Sequence, residues 1–114
     1  MIINGVKFDN IDFTDADLLE RIEYKSEEVL KKCDELEKNE STKFAEGIRQ
    51  QCKILKEFLD YVFGEGTSEK AFKGKDSLRD CLKAYEDIIN ERNRQLNNLD
   101  KIADKYSPER LKRK

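Results

Sequence analysis

At 114 residues the chain has room for one domain with one hydrophobic core, and too little for a core plus a deep substrate chamber. Charged residues make up 42% and apolar residues 37%, with one proline and no tryptophan; large apolar residues recur at helical spacing, so long solvated helices are expected rather than disorder. The net charge of −2 weighs against nucleic acid as a partner, and no apolar run approaches the roughly 18 residues of a membrane span.

The opening stretch, residues 1–13, differs from all that follows. Ile2-Ile3, then Asn4-Gly5, then Val6-Lys7-Phe8 predicts a β-hairpin, because Asn-Gly readily adopts the two positive φ values of a type I′ turn. Ile11 and Phe13 continue the alternation as an arm. A lone hairpin is marginal in water, so this one must pack on helices or pair with another chain. The N-terminus lacks the basic segment and apolar stretch of a secretion signal, so a cytoplasmic protein is expected.

Three long helices and one short one follow. The first is predicted over 14–39, with Thr14 as N-cap, a Phe13–Leu18 staple, and an apolar stripe of Leu18, Leu19, Ile22, Val29, Leu30, Cys33 and Leu36 interrupted at Lys25-Ser26. The second spans 42–63, capped by Ser41 or Thr42, with a stripe of Phe44, Ala45, Ile48, Cys52, Leu55, Phe58 or Leu59, and Val62. Gly47 inside it suggests close approach of another helix, and Gly64 is placed to end it in the left-handed conformation. Thr67 or Ser68 starts a short helix over 68–73, which Gly74 ends. Asp76 or Ser77 caps the last long helix, 77–105, whose apolar residues from Leu82 step by threes and fours. Its middle, 90–98 (NERNRQLNN), is very polar: either the helix leaves the core there or this part meets another subunit. Ser107-Pro108 breaks the pattern and allows a final turn within a basic tail, 107–114. Five lysines and arginines against one glutamate give 105–114 a charge of +4, which leaves −6 on the rest. This end reads as a solvated last turn favoured by the helix dipole, or as a contact for an acidic partner or nucleic acid. The expected fold is mainly α: a single domain over 1–114, with an N-terminal β-hairpin followed by a bundle of three long helices and one short one.

The chemistry of catalysis is largely missing. Without histidine, Ser-His and Cys-His nucleophile pairs cannot form. Gly64-Glu65-Gly66 lacks the third glycine of a dinucleotide fingerprint and sits between helices rather than in a βαβ unit. Cys33, Cys52 and Cys81 fall within apolar stripes and form no CxxC, so they read as small buried hydrophobes in a reducing compartment rather than as zinc ligands. The aspartates at 9, 12, 15 and 17 are out of register for a calcium loop, since the position that requires glycine is Thr14. No enzyme, cofactor or metal site is expected.

One stretch stands out. Near its end the second helix carries Phe58, Leu59, Tyr61, Val62 and Phe63, apolar over most of its circumference, and Phe72 follows in the short helix. A helix of that kind is surrounded by protein or covered by a partner. These six residues are therefore either ordinary core or a groove for a partner helix, and they are the candidate partner-binding residues.

The opening IINGVKFDNIDFTDADLLERIE and the central EFLDYVFGEGTSEKAFKGKDSLRDCLKAYEDII resemble small proteins encoded by tailed phages and prophages of Gram-positive bacteria, of the tail assembly chaperone class. The resemblance covers about two thirds of the chain, and VFGEGTSEKAF is its most specific part. It implies a non-enzymatic protein of the bacterial host cytoplasm that binds the long, apolar, helical tape-measure protein, keeps it soluble and recruits tail tube subunits to it. Such genes often also yield a frameshifted, C-terminally extended product. Two other classes fit the residues: a structural or adaptor protein whose helices assemble into homo-oligomers, and a small DNA-binding regulator acting through the basic end.

Overall fold

A computed structural model describes residues 1–39 and 41–106. The basic tail 107–114, with its Pro108 turn, lies outside the described residues.

The hairpin forms as its sequence dictates. β1 (Ile2–Ile3) and β2 (Val6–Lys7) pair antiparallel, with Ile3 opposite Val6 and Ile2 opposite Lys7. Asn4 (φ 51°) and Gly5 (φ 79°) supply the type I′ turn. Two further bonds between the Met1 and Phe8 backbones, 2.8 and 3.0 Å, continue the pairing. Period-two alternation buries Ile3 fully and exposes Ile2.

α1 (Ala16–Glu37) begins one residue later than the sequence suggests. Its N-cap is Asp15, whose carboxylate accepts from the Leu18 amide at 3.0 Å. The Thr14 hydroxyl instead donates to Asp12. A carboxylate at the positive end of the helix dipole is the stronger cap, so the start shifts. Leu18, Ile22 and Val29 are buried, but Leu30 is 68% exposed, about 100° around the helix from Val29.

α2 (Phe44–Phe63) is the axis of the molecule, with α1 along one side, α4 along another and α3 at its end. Neither Ser41 nor Thr42 caps it. The Ser41 amide and hydroxyl turn back to Asn39, and the N-cap is Lys43 without a side-chain bond. The stripe therefore begins late: Phe44 and Ala45 are exposed, and burial starts at Cys52 and runs through Leu55, Phe58, Leu59 and Val62. Gly47 does not mark a helix contact, because a Cβ there would meet only the Thr42 methyl at 3.8 Å. At the C-cap Gly64 takes φ 112° and ψ 153°, a region open to glycine but outside the left-handed helical well.

α3 (Thr67–Phe72) follows an N-cap at Gly66. No local side chain caps it. The Asp60 carboxylate, from α2, accepts from both the amide (2.8 Å) and the hydroxyl (2.9 Å) of Ser68. The helix closes on Lys73 in the left-handed conformation, one residue before the expected Gly74. α4 (Leu78–Tyr106) starts behind Ser77, whose hydroxyl accepts from the Asp80 amide at 3.3 Å.

Hairpin and arm are tied to the helices by side chains. Asn4 Nδ2 donates to the Ala71 carbonyl at 2.9 Å. Gln95 of α4 accepts from the Phe13 amide at 2.9 Å, and its Nε2 reaches toward the Ile11 carbonyl at 3.5 Å. Gln95, in the polar middle of α4, thus holds the arm, while Arg92 and Arg94 bond to Asn93 and Glu91 of the same helix. The core is one cluster that includes Ile3, Phe13, Ile22, Leu55, Phe58, Leu59, Phe72, Cys81 and Ile88. Among the described residues no helix is long and apolar enough to cross a membrane.

Candidate partner-binding site

The end of α2 is where hairpin, arm, α1 and α3 meet. Its terminal carbonyls need partners, and Arg21 of α1 supplies one, donating from Nε to the Val62 carbonyl at 3.1 Å. Phe63, half-buried, sets its ring edge-to-face on Phe13, with centroids 6.3 Å apart. Beside it opens a cleft of about 480 Å³ between the arm, the start of α1 and the end of α2. Phe8, Ile11 and Phe63 give it apolar surface, and Asp9, Asp12, Asp15, Arg21 and Lys70 give it charge of both signs. Lys70 lies 5.2 Å from the centre of the Phe8 ring, and the Thr14 hydroxyl and amide hold Asp12 below the usual carboxylate range.

The six candidate residues divide. Phe58, Leu59, Val62 and Phe72 are core, each at most 4% exposed. They cannot form an open groove, because a domain this small needs most of its aromatics inside. Phe58 is wedged edge-on against Tyr85 of α4 at 4.9 Å. Only Tyr61 and Phe63 face outward, and not together: two helical steps place them about 200° apart. Tyr61 lies against Tyr24 of α1, ring centres 5.8 Å apart, with the Lys25 ammonium 5.1 Å above its ring. Phe63 belongs to the cleft. The sequence reading missed Phe8, Ile11, Arg21 and Lys70, although two apolar residues in an arm of otherwise polar character were a usable signal.

None of the three thiols lines this cleft. Burial, together with the hydrogen bond its thiol donates to Cys52, pushes the Cys81 thiol up to about 12, and burial raises the Cys52 thiol as well, so neither is poised as a nucleophile. Among the described residues no three metal-ligating side chains converge. A cleft with aromatic walls and a mixed-charge rim suits one or two apolar side chains of an amphipathic segment whose polar residues meet the rim.

Residues 4–114 match the family described as a family of unknown function (DUF6673), and the chain belongs to that family. No curated protein and no solved structure matches it.

Proposed function

We propose that this member of the family is a non-enzymatic tail assembly chaperone that holds an apolar helical client, the tape-measure protein, in the bacterial host cytoplasm and brings tail tube subunits to it. The reading rests on the resemblance carried by the opening stretch and by VFGEGTSEKAF. The observation that supports it is the position of Phe63: within that same segment, one aromatic is held half outside the core at the lip of a cleft with charge of both signs. Handling a helical client calls for apolar contact that can be released, and a small charged-rimmed cleft gives contact without the permanence of a large apolar interface.

The test is co-expression with a tape-measure fragment. Wild type raises the soluble fraction of the fragment, and Phe63→Asp loses that effect while keeping its helical circular dichroism. If a folded Phe63→Asp protein still solubilises the client, the cleft is not the client site. If wild type has no effect on tape-measure solubility, the chaperone reading itself fails.

A further inference from the structure

The far half of α4 carries an apolar surface that no other described residue buries. The last buried residue of the helix is Ile88, and the arm's last hold on it is Gln95. Eleven further residues continue to Tyr106, and Leu99, Ile102 and Tyr106 are 45, 54 and 81% exposed. They are part of a longer pattern. Leu82, Tyr85, Ile89, Arg92, Leu96, Leu99, Ala103 and Tyr106 alternate steps of three and four without a break, and every one is half-buried or exposed. This is a heptad seam beside the face bearing Cys81, Ala84 and Ile88: Tyr85 and Ile89 rest against the core, and Leu96, Leu99, Ala103 and Tyr106 lie past the last buried residue of the helix.

We propose that a second copy of this chain covers the seam, with the two α4 helices antiparallel. The sequence of the seam selects both occupant and direction. A parallel, in-register pair would set Arg92 against Arg92, like charges in the middle of the contact. An antiparallel pair with Leu96 facing Leu99 of the other copy sets Arg92 against Ala103, the smallest residue of the seam, and Ile89 against Tyr106. By the two-fold axis each pairing occurs twice, as an isologous interface requires. Asp100 and Asp104, each of which already has an interaction within its own chain, lie on one flank of Ala103 and still place negative charge near the guanidinium that Ala103 makes room for. Sliding the copies together by one heptad loses this match, since Arg92 then faces Leu96. The paired region, 89–106, is about 26 Å of helix. It lies apart from the cleft at Phe63 and stands whether or not the client reading does.

The experiment uses the full chain. Sedimentation equilibrium detects a dimer, and Leu99→Asp weakens it by about 30-fold or more, the effect of losing a central contact, while the melting curve of the dilute monomer stays unchanged. The register is read by oxidation with copper phenanthroline in a Cys33→Ser background. A one-to-one mixture of Leu96→Cys and Leu99→Cys proteins forms covalent dimers, and each alone forms few. A chain that is monomeric at every concentration, a dimer indifferent to Leu99→Asp, or faster crosslinking of each single variant with itself overturns the proposal.

Discussion

Gly47 shows how a residue's meaning depends on its surroundings. It sits in the first turn of α2 with only the Thr42 methyl near the place a Cβ would take, and its backbone is helical. Gly47→Ala should therefore raise stability by about 0.5–1 kcal/mol, read as a higher urea midpoint at unchanged slope. Ser26 is a second case. Its hydroxyl is buried, and among the described residues it is the one buried side-chain polar atom without a hydrogen-bond partner. Replacing it with alanine removes a desolvated polar group, so Ser26→Ala should be neutral or stabilising by up to about 1 kcal/mol. The cysteines give a third expectation. Burial raises all three thiols, Cys81 to about 12, but Cys52 and Cys81 are fully buried whereas Cys33 is only half-buried and so open to reagent. Under native conditions at neutral pH iodoacetamide should modify Cys33 first, and the other two only on unfolding, as mass spectrometry of the intact chain would report.

At the scale of elements, contacts distant in sequence supply what local sequence lacks. α3 has six residues and no cap of its own, and an isolated helix that short does not persist. Asp60 holds its first turn through both polar groups of Ser68. Asp60→Ala leaves those groups in a buried site without an acceptor, and should cost about 1–3 kcal/mol with early loss of amide protection across 67–72. The arm depends likewise on α4, where Gln95 is itself positioned by Glu91. Arg94 and then Gln95 hold the Glu91 carboxyl down at about 2, against an ordinary value near 4.5. A group depressed in the folded state stabilises the fold above its unfolded value, and that contribution is lost as pH falls through the folded one. Stability should therefore drop between about pH 4.5 and 2, and Glu91→Gln should flatten that part of the profile. Hairpin, helix count and helix order were legible here, because Asn-Gly and the 3.6-residue period are local. The caps of α1, α2 and α3 were not, because the competing acceptor lay one residue on from Thr14 at α1, two residues back from Ser41 at α2, and on another helix for α3.

At the scale of the molecule, two aromatic residues five apart in α2 should behave in opposite ways. Phe58 is fully buried against Tyr85, so Phe58→Ala should cost about 3–5 kcal/mol and loosen the whole core. Phe63 lies at the cleft lip, so Phe63→Asp should keep the fold and alter only what the protein binds. Thermal melts compared with client solubilisation separate the two. The molecule extends 57 Å in its longest direction and only 20 Å in its shortest, with α4 alone about 44 Å long. A body so elongated cannot bury every stripe its sequence writes, and among the described residues Leu99, Ile102 and Tyr106 of α4 stay exposed.

The sequence by itself determined the hairpin, the number and order of the helices and the lack of histidine. Each of these follows from composition or from a period within a few residues. Only the tertiary structure decided which apolar residues at the end of α2 are core and which meet solvent. Phe58, Leu59, Tyr61, Val62 and Phe63 cover nearly the whole helix circumference, and a stripe that wide has no inside until its neighbours are in place. α1, α3, α4 and the arm bury Phe58, Leu59 and Val62, leave Tyr61 beside Tyr24, and hold Phe63 at the cleft.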